Sequence, residues 1–94
     1  MNNKEIIFND EFVSAHLTEL LDLKIDRSII THEQISKVTE ILELKDNTAL
    51  QLTAKRNSVV KFLTDDRYDD AAWVTMSGVT CVIDSFLIEL LRPV

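Results

Sequence analysis

The residues with the chemistry to act on something are mostly acids. Asp65-Asp66-Arg67-Tyr68-Asp69-Asp70 places four carboxylates within six positions, and such oxygen donors are what a hard divalent cation prefers. The run has neither the glycine nor the alternating ligand spacing of a calcium-binding loop. It reads first as a solvated, helix-capping turn. Its second use is electrostatic, with Asp65, Asp66, Asp69 and Asp70 forming an acidic knob that meets a basic partner. His16 and His32 stand apart and belong to no Cys/His array. Cys81 lies in an apolar run with no basic neighbours, so it reads as a small buried hydrophobe and not as a nucleophile. A chain with one glycine cannot build a Gly-rich phosphate loop, and no serine-hydrolase motif is present. The sequence assigns no catalytic residue, no metal and no cofactor.

Two patterns allow other chemistry. Glu40 and Glu43 form E-x-x-E, and Asp66 and Asp69 repeat that spacing 26 residues later. The spacing resembles that of MazG-like all-helical nucleotide pyrophosphohydrolases, a resemblance that implies paired carboxylates on facing helices holding Mg²⁺. The chain departs from that pattern in having Asp for Glu in the second pair, and in placing this pair in a break between helices. The second pattern is a helix-turn-helix: Thr31–Leu44 and Thr48–Leu63, joined by about three residues, would present Lys55, Arg56, Asn57 and Lys61 to DNA. Against it, the turn lacks the usual glycine, and Glu40, Glu43 and Asp46 stand where phosphates would run.

Composition bounds these readings. Ninety-four residues, 46% of them apolar, with one Gly and one Pro, indicate a single helical domain over residues 1–94. Sixteen acids against ten bases give a net charge of −6. That field repels phosphate backbones and acidic membranes and favours protein partners, basic ones above all. Cys81 is the only cysteine, so no internal disulfide forms, which fits a reducing cytoplasm. The N-terminus has no apolar h-region. Ala71–Leu91 is long enough to span a bilayer, but Asp84 and Glu89 would have to enter the hydrocarbon, so a buried core helix is the better reading.

The elements that position these residues follow from periodicity and caps. A first helix over about Asp10–Leu23 places Phe12, Val13, Leu17 and Leu20 on one face. Ile25–Ile30 reads as a connector whose isoleucines plug the core, or as a short strand pairing with Lys4–Phe8. Thr31 with Gln34 is a capping box opening a second helix, with Ile35, Val38, Ile41 and Leu42 as its stripe. Thr48 with Gln51 repeats the box for a third helix to about Leu63. Residues 49–54 also alternate apolar and polar, so a small hairpin over 49–63 in an α+β fold is the alternative. The last helix is apolar nearly all round, from Ala72 through Met76, Val79, Ile83 and Phe86, with Val74, Cys81 and Ile88 opposite.

The fold expected is therefore all-α, a compact four-helix arrangement around the C-terminal helix. Ser77, Gly78, Cys81 and Ser85 form a flat stripe on that helix, either an intrachain packing seam or the seam of a homodimer. Asp84 falls inside the apolar arc and calls for a partner, for which Arg56 is placed. A buried Asp84–Arg56 pair would cost about 3–5 kcal/mol to break. The function expected is a non-enzymatic, acidic protein–protein interaction module of inhibitor, immunity, chaperone or accessory type.

Overall fold

The computed structural model describes residues 10–93. They form four helices: α1, Glu11–Asp22; α2, His32–Ile41; α3, Ala49–Leu63; and α4, Asp70–Leu91. Among the described residues no strand forms, only an isolated bridge between Asp26 and Ile29. The hairpin over 49–63 is thus corrected to a helix. The strand pairing proposed for Lys4–Phe8 lies outside the described residues.

Every helix start is satisfied by its own side chains. Asp10 accepts from the Val13 N–H at 3.1 Å, and Asp69 accepts from the Ala72 N–H at 2.9 Å. Thr31 and Gln34 close the first capping box, and Thr48 and Gln51 the second. The second box explains why residues 49–54 do not extend. It satisfies two orphan backbone donors at once, and helical spacing then sends Leu52, Val59 and Phe62 into one core.

The helix ends are less conventional. α2 stops at Ile41, before the periodicity through Leu44 would end it, because the chain closes a Schellman turn there. The Leu44 N–H donates to the Thr39 carbonyl at 3.0 Å and the Glu43 N–H to the Glu40 carbonyl at 3.3 Å. The C′ residue of such a turn is left-handed and ordinarily glycine; here it is Glu43, with φ of 52°. α1 also ends on a left-handed residue, Lys24, with φ of 51°, whose N–H donates to the Leu21 carbonyl at 3.3 Å. Both of these helix-ending residues are followed by a fully buried one, Ile25 and Leu44. Their burial stabilises backbone that the side chain at C′ disfavours. Lys55 Nζ completes the end of α2, donating to the Leu42 carbonyl at 2.7 Å and the Glu43 carbonyl at 3.1 Å.

The core draws on every element: Val13 and Leu20, Ile25, Val38, Leu42 and Leu44, then Leu52, Val59 and Phe62, then Met76, Val79, Val82 and Ile83. α3 packs along α4, α1 lies against both, and α2 lies against α1 and α4. By length and composition α4 could cross a membrane, but its middle, Thr75–Thr80 with Val82 and Ile83, is buried within the fold. The flat stripe has a specific occupant. Gly78 faces Ile25, and Arg27 Nη1 donates to Ser77 Oγ at 3.2 Å. The α1–α2 connector therefore crosses α4 where its side chains are smallest. Cys81 is half-buried and Ser85 exposed, so only that second half of the stripe faces outward.

Candidate docking groove

The acidic turn between α3 and α4 divides into two kinds of carboxylate. Asp65 is committed to Arg67: it accepts from the Arg67 backbone N–H and Nε, both at 3.0 Å, and from Nη2 at 2.7 Å. The guanidinium holds the Asp65 carboxyl down at about 2. Asp69 caps α4 through Oδ1. Asp66 and Asp70 are exposed. The four acids are thus two structural carboxylates and two solvated ones. Tyr68, between them, lays its ring on Phe62 at 4.1 Å between centroids, which anchors the turn to the core.

Beside this turn lies an open groove of about 490 Å³. Its accessible floor is Leu21 on one side and Ala71, Ala72 and Val74 on the other, with buried Ile25 and Thr75 beneath them. Its rim carries Asp26, Asp69 and Lys24. The helix start decides its shape: Ala71 and Ala72 bring no bulk, so the first turn of α4 leaves space against the end of α1. Asp26 is held ionised by its turn, since Ser28 donates both its hydroxyl and its backbone N–H to Oδ1 and keeps the carboxyl below its ordinary range.

Arg56 and Asp84 do pair, with Nε 2.6 Å from Oδ1. The expectation that the pair is buried is corrected: the side chains are 39% and 38% exposed. The apolar arc of α4 runs past Asp84 because Ser77 and Thr80, its neighbours on the helix, are covered by the fold while Asp84 reaches its edge. His16 sits against the Phe12 ring and 3.5 Å from Glu19, and His32 is exposed.

The two E-x-x-E-like pairs do not meet. Glu43 sits beside Lys55, whereas Asp66 and Asp69 lie beyond the C-terminal end of α3. About 13 Å of helix from Lys55 to Thr64 separates them, too far for one cation with ligands at about 2.0–2.6 Å. Among the described residues no three His, Cys, Asp or Glu side chains converge as a metal site would require. The helix-turn-helix arrangement also changes. α2 and α3 are separated by residues 42–48, and of the basic residues assigned to DNA, Lys55 caps α2 and Arg56 holds Asp84. Burial pushes the Lys55 ammonium down, against the opposing pull of Glu43. Asn57 and Lys61 are exposed.

The groove was not legible from the sequence, apart from Asp69. It joins residues 21–26 to residues 69–75, and no local pattern links the two. The available signal was Val74, apolar on the side of the last helix away from its main stripe. The chain matches no family model, and neither the curated proteins nor the solved structures compared with it give a match.

Proposed function

We propose that this chain is a non-enzymatic, cytoplasmic protein–protein interaction module, an inhibitor-, immunity-, chaperone- or accessory-type binder. The observation that carries the reading is apolar surface left uncovered on one helix. Trp73 and Val74 are 45% and 39% exposed near the start of α4, and Ile88 and Leu91 are 65% and 66% exposed at its end. Scattered apolar residues on a surface need no explanation, but these gather in two clusters, one at each end of α4 and about 21 Å apart, and each is a candidate contact. The net charge of −6 directs the choice of partner toward basic proteins.

What supports this over DNA binding is that Lys55 and Arg56 are already paired, with the end of α2 and with Asp84. What supports it over Mg²⁺-dependent hydrolysis is the separation of the carboxylate pairs. A homodimer is the second reading, favoured by Ile88, Leu90 and Leu91, which leave the last turn of α4 apolar around much of its circumference.

A photo-crosslinking amino acid placed at Val74, at Ile88 and, as a control, at exposed Lys37 tests both in the native cytoplasm. Discrete adducts from Val74 or Ile88 and none from Lys37 are expected. An adduct of twice the 10.8 kDa chain would identify a second copy. Equal labelling from all three positions, or none, would refute the module.

A further inference from the structure

We infer that the groove between the end of α1 and the start of α4 receives an apolar protein segment edged with lysine or arginine. This rests on the interaction-module reading and names the partner's chemistry at one surface. The accessible floor, from Leu21 to Ala71, Ala72 and Val74, carries no polar side chain, and Thr75 is buried beneath it. A small polar metabolite would find no convergent donors and acceptors there, whereas such sites usually fix their ligand by a few. Its volume of about 490 Å³ suits anchor side chains from a docked helix or extended peptide, the recognition mode in which apolar anchors at i and i+3 or i+4 enter a groove.

The rim sets the charge of the occupant. Asp26 and Asp69 flank the floor, each using Oδ1 for its own turn, which leaves Oδ2 to accept from a partner. Lys24 is the single opposing charge on that rim. Asp70 adds a further exposed carboxylate at the first turn of α4. Lysine or arginine beside an apolar anchor would meet two carboxylates there. An acidic segment would be repelled by the rim and by the net charge of the whole chain.

The test is an NMR titration of the full-length ¹⁵N-labelled protein with a synthetic amphipathic helical peptide of leucine and lysine. A matched peptide carrying glutamate in place of lysine is the control. The leucine–lysine peptide is expected to shift the amides of Leu21, Lys24, Asp26, Ala71, Val74 and Thr75, and the glutamate peptide to leave them in place. The double variant Asp26→Asn, Asp69→Asn removes both charges and keeps the cap, because asparagine caps as well as aspartate. It is expected to weaken binding about fivefold or more and to flatten its salt dependence. Ala71→Gln, at an exposed position, fills the floor without adding a charge and is expected to weaken binding with the rest of the spectrum unchanged. Equal binding of the glutamate peptide, or shifts confined to Ile88–Leu91, would overturn the groove while leaving the module standing. No shift with either peptide would also overturn it, and the crosslinking at Val74 and Ile88 would then decide the module separately.

Discussion

Gly78 is the only glycine in the chain, and its backbone does not need one, since its φ is not positive. In a helix interior, alanine is ordinarily better by about 1 kcal/mol. Here the space is already taken. A Cβ on Gly78 would overlap the Ile25 Cγ2 methyl, 3.0 Å from Ile25 Cβ and 3.4 Å from its carbonyl carbon. Cγ2 branches directly from Cβ, so no rotation of a distant torsion clears it, and the backbone stands close behind. Relief requires either withdrawing Ile25, which forfeits roughly 1.5–3 kcal/mol of burial, or shifting the connector, an overpacking cost of about 1–3 kcal/mol. After the helix-propensity gain, Gly78→Ala should lose about 1–2 kcal/mol. In a domain this size, 1 kcal/mol corresponds to roughly 4–8 °C, so a thermal melt followed by circular dichroism should fall by about 5–15 °C. Ile25→Ala removes the opposing methyl and should itself cost about 2–5 kcal/mol. In that background Gly78→Ala should be neutral or stabilising, giving a coupling of about 2 kcal/mol between the sites. A higher melting temperature for Gly78→Ala alone, or strict additivity of the two changes, would refute the packing of the connector on α4.

Three further expectations follow from the same geometry. Asp84→Ala should cost less than about 1 kcal/mol by denaturant titration, because a half-exposed ion pair contributes little; a loss of 3 kcal/mol would restore the buried pair. Glu43→Gly should stabilise by about 0.5–1 kcal/mol, since a left-handed residue costs about 1–2 kcal/mol without glycine and glycine's greater freedom when unfolded offsets part of that gain; a destabilised variant would mean that the Schellman turn is absent. The Asp65 carboxyl is lowered from 3.8 to about 2, so its contribution is complete above pH 4 and disappears as the pH falls toward 2. Acid unfolding of Asp65→Asn should therefore show less loss over that window than the parent, and identical acid profiles would contradict the Asp65–Arg67 pairing.

The sequence carried the fold through its starts more than its ends. Thr31 with Gln34 and Thr48 with Gln51 announce their helices in four residues each, because a capping box is a local device. Helix ends usually announce themselves by glycine. Here Lys24 and Glu43 occupy the left-handed positions, and the cost is offset by burying Ile25, which reads as a core-plugging connector residue, and Leu44, which looks like a further turn of an apolar stripe. That is why α2 read as running to Leu44. The Arg56–Asp84 pair was legible as a pairing, since an acid in an apolar arc requires a cation. Its exposure was not, because a helical projection has no information about where neighbouring elements stop.

The same limit explains the small-residue stripe. Ser77, Gly78, Cys81 and Ser85 say that something approaches α4 closely, and a symmetric partner and an intrachain connector make the same demand on side-chain size. The connector takes the first half of the stripe, with Ile25 against Gly78 and Arg27 on Ser77. Close approach of that segment also supports the groove, because Ile25, fully buried on Gly78, lies beneath the floor beside Leu21. A single glycine thus seats the buried residue that supports the surface on which a docked segment would rest. Loss of Ile25 from its seat in Gly78→Ala should therefore lower peptide affinity along with the melting temperature. Ala71→Gln should lower the affinity and leave the melting temperature in place, and the contrast between the two variants separates building the groove from filling it.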